Sequence, residues 1–310
     1  MIGFFYHDLF ARHLEDYGHV EGPQRLESIL KRVKKSPISD SISFLEAEPA
    51  EMKWLERVHD RGYIEGIMSL DIKEAVILDW GDTVATAASP QAALFAAGAG
   101  VKAVRMVLAG ELTSAFCAVR PPGHHAERSR AMGFCIFNNI AVAAAYLLEE
   151  GKLERVAIVD WDVHHGNATE NMFIDSDRVF YISLHQYPHY PGTGHPDNVG
   201  AGRGTGFTLN IPMAVGEGDK EYIEAIRRRV LPVLDDFKPQ FILISAGFDA
   251  HGSDPLSGTL LTSPAYGEMT TLIREVAERH SSGRVVSFLE GGYDVVSLAE
   301  SVEEHLAALI

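Results

Sequence analysis

The sequence is poor in cysteine and has no excess of basic residues. Its 310 residues include two cysteines, Cys117 and Cys135, each in an apolar or aromatic context. Two isolated cysteines exclude a disulfide framework and a cysteine-based zinc knuckle, and they favour a reducing compartment. The formal net charge of −16 argues against nucleic acid as a direct partner, but is compatible with basic peptides or cationic small molecules.

Long uninterrupted apolar runs are also missing. The N-terminal segment MIGFFYHDLF has no basic region, and its apolar run is too short for a signal peptide. The alanine-rich segment 91–110 contains Lys102 and Arg105, which predicts a buried helix instead of a membrane span. We therefore expect a cytoplasmic protein that does not associate with membranes. Because no repeat or low-complexity linker divides the chain, residues 1–310 are predicted to form a single domain.

The chain alternates between short β-branched runs and longer helical patterns. Strands are predicted over residues 2–6, 114–119, 156–159, 179–183, 207–211, 241–245 and 285–289. Helices are predicted over residues 91–108, 139–149, 220–237, 263–280 and 295–309. Pro232 is expected to bend or interrupt the third of these helices. The alternation predicts an α/β fold with a central parallel sheet and helices on both faces.

Polar motifs follow five of the predicted strands. They are RPPGHH after SAFCAV, DWDVHH after VAIV, LH after FYIS, AGFD after FILIS, and EGGY after VVSFL. In parallel sheets, ligands bind beyond the carboxyl ends of the strands. Convergence of five such ends on one edge of the sheet predicts a single functional site there.

Asp162 and His164 are candidate metal ligands. Residues two apart in an extended backbone point to the same side, so one carboxylate and one imidazole can meet one ion. Asp249, after another strand, supplies a third ligand and leaves an open position, as in catalytic zinc sites. Mixed oxygen and nitrogen ligation also suits Fe²⁺ or Co²⁺. The alternative is that Asp162 caps a loop and His164 is a satisfied core histidine.

Three residues near this set have other expected roles. Asp160 faces the same side as Asp162 but lies deeper, where it orients another group or binds a second, structural cation. His165 points away from His164 and is interpreted as structural. His251, in a glycine-containing loop, is expected at the surface or in support of the ligands.

His124, His125 and Tyr293 are candidate catalytic residues. Two prolines and a glycine precede the histidine pair and fix its loop. Since imidazole titrates near neutrality, one ring can act as base and the other as acid beside a hydrolytic metal. The glycines before Tyr293 allow a tight turn that presents a phenol to a developing oxyanion. The alternatives are structural histidines in a turn and a buried aromatic residue.

The motifs RPPGHHA, GFCIFNN, DWDVHHGN, SLHQYPHYPGTG, AGFDAHGSDP and EGGYD occur in this order along almost the whole chain. Together they resemble the histone deacetylase and acetylpolyamine amidohydrolase family. The resemblance implies an arginase-like α/β fold and zinc-dependent hydrolysis of N-acetyl amides of lysine or polyamines.

The resemblance also implies the ions and the catalytic roles. Zinc is expected on Asp162, His164 and Asp249. Structural potassium is expected, largely on backbone oxygens, at Asp160, Asp162, His164, Ser183 and Leu184. His124 and His125 share acid and base work, with His125 nearer the base, while Tyr293 polarises the acyl carbonyl. Asp160 holds His124, and Asn167, similar to class II members where class I relatives carry aspartate, holds His125.

The same resemblance implies the substrate-binding residues. Gly133 and Phe134 are expected to line an acyl-lysine tunnel, with Tyr190 where many relatives carry a phenylalanine. Asp82 is expected at the rim, and Gly292 beside the tyrosine. Leu256 stands where polyamine enzymes tend to carry glutamate, and this favours acyl-lysine-type or other short acyl amides over acetylpolyamines.

Two other functions compete with this interpretation. An arginase-like ureohydrolase needs two manganese ions and additional aspartates, but Asn167 and His251 occupy positions where aspartates would be wanted. A non-catalytic acyl-lysine binding module would retain the pocket without competent catalytic groups. No pattern in the sequence indicates an oligomeric state.

Overall fold

The computed structural model describes residues 1–310, and eight of its strands form one sheet. The strands are β1 (Ile2–Tyr6), β2 (Ile42–Glu46), β3 (Val76–Ile77), β4 (Val84–Ala85), β5 (Ser114–Cys117), β6 (Val156–Asp160), β7 (Val179–Gln186), β8 (Thr208–Met213), β9 (Phe241–Ala246) and β10 (Val285–Leu289). The order in the sheet is β2-β1-β5-β10-β9-β6-β7-β8, and all neighbours run parallel. Strands β3 and β4 form a separate antiparallel pair.

The central strands read as continuous apolar runs because both faces of the sheet are covered. Every residue of β6, β7, β9 and β10 is buried. The edge strand β2 instead alternates, with Ile42 buried and Phe44 41% exposed. The ammonium of Lys34 lies 5.7 Å from the centre of the Phe44 ring, which places a charge over this edge strand.

The helices pack on the sheet in two groups. They are α1 (Leu9–Arg12), α2 (Gln24–Lys35), α3 (Met52–Leu55), α4 (Arg61–Met68), α5 (Ser89–Leu108), α6 (Asn139–Glu149), α7 (Asn167–Phe173), α8 (Asp219–Ala225), α9 (Leu231–Phe237), α10 (Ser263–His280) and α11 (Val295–Leu309). Helices α5 and α6 pack on each other and on the central strands, while α2, α10 and α11 pack together. The predicted parallel α/β architecture is confirmed.

Helix α5 is long and apolar enough to cross a membrane by composition, but 56% of the relevant stretch is buried inside the protein. Its two glycines explain how it packs. A Cβ on Gly98 would lie 1.9 Å from the carbonyl oxygen of Glu48, and one on Gly100 would lie 2.5 Å from the Phe288 ring. The helix therefore approaches neighbouring chain too closely for larger residues, as expected for the predicted core helix.

Most predicted elements are present, with shifts at their ends. The predicted helix 220–237 is divided into α8, a π-helical turn over Ile226–Val230, and α9, with Pro232 in the first turn of α9. This agrees with the expected interruption, because proline lacks the amide proton for a regular helical hydrogen bond. Strand β5 ends at Cys117, two residues earlier than predicted. Strand β2 and helices α2, α4 and α7 were not predicted.

The strand order explains why five polar motifs meet. Strands β5, β10, β9, β6 and β7 are consecutive in the sheet. Because they are parallel, the segments after their carboxyl ends lie along one edge. The predicted convergence is confirmed, and the sheet acts as the support for the site.

His305 is a fully buried histidine on α11 that the fold holds neutral. The Thr270 hydroxyl donates to the Tyr266 carbonyl, so its oxygen accepts from His305 Nδ1–H at 2.6 Å. Nε2 then accepts from the Ser287 hydroxyl at 2.9 Å. Burial lowers the pKa of His305 to about 3.

The neutral His305 predicts a pH dependence of stability. Its pKa is lower in the folded than in the unfolded chain, so its contribution is complete above pH ~6.5 and is lost as the pH falls towards 3. Between pH 7.5 and 5.0 this loss amounts to about 2 kcal/mol. We expect urea unfolding of His305→Asn to show a correspondingly weaker pH dependence than the wild type. Identical pH dependence in both proteins would contradict the assignment.

Candidate metal-dependent active site

Asp162, His164 and Asp249 come together at the ends of β6 and β9. All three are buried, and one potential ligand atom from each lies within 4.8 Å of the others. His164 Nδ1 lies 3.0 Å from Asp162 Oδ1 and 3.1 Å from Asp249 Oδ2. The structure thus brings together the three predicted ligands, with one imidazole between two carboxylates.

Backbone amides hold both carboxylates. Gly291 N–H donates to Asp162 Oδ2 at 2.7 Å, and Val163 N–H donates to Asp249 Oδ1 at 2.9 Å. These bonds tie the loops after β6, β9 and β10 to one another. The ligand positions are therefore fixed by backbone, not by flexible side chains.

The surroundings of this set fit a cation. Asp249 Oδ2 is buried and has only His164 Nδ1 nearby, at 3.1 Å and without good hydrogen-bond geometry. Burial of a carboxylate in this way is costly unless a positive charge is beside it. Glycines make room on the same side: a Cβ on Gly291 would lie 2.0 Å from Asp249 Oδ2, and one on Gly247 would lie 2.2 Å from Asp162 Oδ2. Two carboxylates and one imidazole are suitable ligands for a divalent metal.

The histidine pair lies beside the ligands, and its two rings have different partners. His124 Nδ1–H donates to Asp160 Oδ2 at 3.0 Å, whereas His125 Nδ1–H donates to Asn167 Oδ1 at 2.7 Å. The ring centres are 4.0 Å apart. Asp160 and Asn167 thus contact the two histidines that they were predicted to contact. His124 has a carboxylate partner, and His125 has an amide partner.

The surroundings of the two rings shift their pKa values in opposite directions. Burial opposes charge on His124, but Asp162, Asp160 and Glu290 outweigh it and raise its pKa to about 10. Burial, together with the neighbouring His124 and His164, holds the pKa of His125 well below its usual range. For the protein groups alone, His124 is the charged ring and His125 the neutral one at pH 7.

Tyr293 is fixed from both sides. Its backbone N–H donates to Asp254 Oδ2 at 2.6 Å, and the guanidinium carbon of Arg25 lies 5.0 Å from the centre of its ring. Arg25 also donates to the carbonyl oxygens of Gly292 and Glu290, at 2.6 and 2.5 Å. Burial raises the pKa of Tyr293 well above its usual range, so its hydroxyl stays protonated and can donate a hydrogen bond.

Behind Arg25 lies a buried ion cluster that sequence reasoning missed. Glu21 accepts from Arg25 at 2.9 Å and from Arg120 at 2.6 Å, and all three side chains are fully buried. The Arg120 guanidinium, with His13 3.4 Å away, holds the pKa of Glu21 well below its usual range against the effect of burial. Residues 267 positions apart, as Arg25 and Gly292 are, leave no local sequence signal of their contact.

A cavity of about 230 Å³ leads to His164, one of the three candidate metal ligands. Predicted residues that line it are Asp82, His124, His125, Gly133, Phe134, His164, Tyr190, Leu256 and Tyr293. Tyr190 is 42% exposed at the mouth, whereas His124 and His125 are each 3% exposed at the floor. The cavity therefore runs as a tunnel from an exposed mouth to the buried histidine pair.

The lining omits one predicted residue and adds three. Gly292, predicted beside the substrate, is not among the lining residues, since it turns with φ +119° and gives its carbonyl to Arg25. Gly291 lines the cavity instead, together with Pro122 and His189. His189 stacks on His164 with ring centres 5.0 Å apart. His189 belongs to the motif SLHQYPHYPGTG, but the sequence predicts no role for it.

The remaining predicted residues lie around the ligands. His165 binds Thr193 and Glu170 at 2.8 and 3.2 Å, in agreement with its predicted structural role. The half-buried His251 contacts Ser253 and Ser263 instead of the ligand set. Ser183 is the register partner of Asp160 in the β6–β7 pair, and Leu184 follows it in the buried strand.

The fold and the tunnel together define a candidate hydrolytic site, in which potential metal ligands, two imidazoles and a phenol lie close to one another at one cavity.

Comparison with known proteins specifies this class. Residues 19–309 match the family described as histone deacetylase domain. A probable deacetylase of Archaeoglobus fulgidus is 41% identical over 94% of this chain and 81% of its own length. A histone deacetylase-like amidohydrolase of Pseudomonas aeruginosa is 40% identical over 89% and 73%. Human polyamine deacetylase HDAC10 is 37% identical over 91% and 43%.

The solved structures agree with the sequence matches. A crystal structure of the HDA15 HD domain has a TM-score of 0.93 with this protein and is 34% identical to it, covering 99% of this chain and 87% of that one. The chain belongs to the histone deacetylase family, and it is a hydrolase of the deacetylase and amidohydrolase type.

The glycine beside Asp249 provides a test of the ligand geometry. We expect Gly291→Ala to weaken divalent cation binding by about 10–100-fold, because its methyl group displaces the ligand carboxylates. Isothermal titration with Co²⁺ or Zn²⁺ measures the change. Gly62→Ala is the matched control, since a Cβ there meets nothing within 4 Å. Equal affinity in both variants would contradict the assigned ligand set.

Proposed function

We propose that the protein is a zinc-dependent deacetylase that removes acetyl or other short acyl groups from N-acyl-lysine-type substrates. The observation that carries this proposal is the position of the buried Asp162–His164–Asp249 set beside the histidine pair and Tyr293, at the end of one tunnel. Family membership supports the hydrolase class. The zinc dependence and the substrate class are the specific claims that require a test.

Zinc suits the ligand set because three protein ligands leave a position open for chemistry. Fe²⁺ or Co²⁺ fits the same mixture of oxygen and nitrogen ligands. A cation bound there would supply Lewis-acid chemistry, which polarises an amide carbonyl and lowers the pKa of a water. Asp162, His164 and Asp249 would hold it, and hydrogen bonds from backbone N–H groups fix the two carboxylates.

His125 is the general base in this proposal. Its Nδ1–H donates to Asn167, so the lone pair of Nε2 is free to accept a proton. Its pKa is held low by burial and by the neighbouring imidazoles, so the ring is neutral and ready to accept. Proton removal from the attacking water is the step that it serves.

His124 acts on the leaving amine of the substrate, and Tyr293 acts on its carbonyl oxygen. The carboxylates around His124 favour its charged form, so it stabilises the negative charge that develops and can supply a proton to the leaving amine. Tyr293 keeps its hydroxyl proton and donates a hydrogen bond to the carbonyl oxygen as that oxygen becomes negative. Asp254 and Arg25 hold the tyrosine in this position.

The tunnel favours a neutral acyl chain with a flexible aliphatic stem. Phe134, Tyr190 and Leu256 contribute apolar wall to its outer part, and Asp82 is the carboxylate at its rim. A peptide backbone outside the tunnel can donate to Asp82. The neutral Leu256 supports acyl-lysine-type substrates over acetylpolyamines, whose second amine would need an acidic partner there.

Three further elements complete the proposal. Structural potassium is proposed beside Asp160, Asp162, His164, Ser183 and Leu184, supported by the register of Asp160 with Ser183. A cytoplasmic location is proposed, supported by two free, buried cysteines. Neither nucleic acid nor a membrane is proposed as a partner, in keeping with the net charge of −16 and the burial of α5.

Hydrolysis assays separate this proposal from its alternatives. We expect acetate release from an acetyl-lysine peptide, loss of release after chelation, and recovery with one equivalent of Zn²⁺ per chain. Release from N-acetylputrescine should have the lower kcat/KM. A higher value on N-acetylputrescine would favour the polyamine function. Activity that needs two ions per chain would favour the ureohydrolase type, and no activity would favour a binding module.

Replacement of the tyrosine hydroxyl tests the assigned electrophile. We expect Tyr293→Phe to lower kcat by about 10²–10³-fold, because the hydrogen bond to the developing oxyanion is lost. KM and the melting temperature should change little, since the ring and its contacts remain. A kcat within a few-fold of the wild-type value would show that another group polarises the carbonyl.

A further inference from the structure

Glu127 lies behind the histidine pair and reaches His125 through a single amide. Asn167 Nδ2 donates to Glu127 Oε1 at 2.6 Å, and Asn167 Oδ1 accepts from His125 at 2.7 Å. Asn167 itself is 5% exposed. The three side chains form a continuous hydrogen-bonded series from a carboxylate to the proposed base.

The carboxylate gives this series a direction. An ionised carboxylate only accepts hydrogen bonds, so the amide nitrogen of Asn167 must face Glu127 and the amide oxygen must face His125. The imidazole must then carry its proton on Nδ1, with the lone pair on Nε2. Without the carboxylate, the amide can turn by about 180° and present its NH₂ group to the ring. That arrangement moves the proton to Nε2 and removes the base.

Glu127 is itself well anchored. Its backbone N–H donates to the Arg130 carbonyl at 2.9 Å, and its carbonyl accepts from His59 Nδ1–H at 3.0 Å. His59 Nε2 in turn accepts from the Asn138 backbone at 2.9 Å, which fixes the orientation of that ring. These bonds fix the backbone of Glu127 next to the histidine pair, and its half-buried carboxylate accepts from Asn167.

The two histidines of the pair differ in how a carboxylate reaches them. His124 is bound directly by the carboxylate of Asp160, whereas His125 has a neutral amide between its ring and a carboxylate. The amide sets the orientation of His125 without placing a negative charge against it. Asn167 alone cannot set the orientation of His125, because its amide can present either a donor or an acceptor to the ring.

We infer that Glu127 is a positioning residue for deacetylation, which acts through Asn167 to keep the proton of His125 on Nδ1 and its Nε2 free. This inference rests on the proposed function. It assigns a role to a residue of the segment after the histidine pair that touches neither the tunnel nor the metal ligands.

The first test removes the acceptor. We expect Glu127→Leu to lower kcat on an acetyl-lysine peptide by about tenfold or more, with little change in KM. Asn171→Ala is the matched control, because Asn171 donates to the same Glu127 oxygen at 2.9 Å from an exposed position. It should leave kcat unchanged. An equal loss in both variants would overturn the inference, because it would indicate local packing instead of orientation.

The second test is rescue by a carboxylate. Asn167→Asp places an acceptor-only group against His125, so the double variant Glu127→Leu/Asn167→Asp should recover much of the lost kcat. In the wild-type background the same change puts two carboxylates in contact and should lower kcat. If the role of Glu127 were purely structural, Asn167→Asp would not raise kcat in one background and lower it in the other. Failure of Asn167→Asp to raise the kcat of Glu127→Leu overturns the inference.

The third readout does not depend on turnover. In ¹⁵N-histidine-labelled protein, His125 should show a single tautomer with Nδ1 protonated, and Glu127→Leu should show both tautomers. An unchanged single tautomer in Glu127→Leu overturns the inference even if hydrolysis is seen. Absence of hydrolysis in the wild type counts against the proposed function, while the tautomer still decides the role of Glu127.

Discussion

The repulsion between Asp162 and Asp249, buried together at the ends of β6 and β9, is the constraint on which the rest of the structure depends. Burial and the charge of Asp162 raise the pKa of Asp249 above its usual range, and one of its oxygens has no hydrogen-bond partner. Glu21 is buried as completely but lies between two guanidinium groups of the chain itself. The chain thus neutralises Glu21 with two arginines, whereas the Asp162–Asp249 pair has one imidazole, that of His164, between its carboxylates and suits a divalent cation.

The architecture serves to hold these charges at fixed positions. Parallel strands bring five loops to one edge, and backbone N–H groups from two of them bind the carboxylates that would otherwise repel each other. Glu290 continues this pattern, since it accepts from the backbone of Gly123 and His124 and links the loop after β10 to the loop after β5. Burial raises the pKa of Glu290 to about 7, so this link is itself sensitive to pH.

Much of this was readable from the sequence because the information is local. Apolar runs ending in polar motifs defined β6, β9 and β10, and spacing of two placed Asp162 and His164 on one side. The amphipathic α2 and the edge strand β2 were missed because their exposed residues break the apolar pattern. The family resemblance implies that Gly292 binds substrate, but its carbonyl accepts from Arg25, a partner far away in the sequence. Contacts of this kind depend on the tertiary fold, so they cannot be predicted from a local sequence pattern.

The most direct test of the account is anomalous X-ray scattering at the zinc edge from crystals of the zinc-loaded protein. We expect one strong peak, about 2.0–2.2 Å from Asp162, His164 and Asp249, and no second peak of similar strength in the tunnel. A peak bound elsewhere, or two comparable peaks bridged by carboxylates, would contradict the central claim that this buried pair of carboxylates exists to hold a single ion.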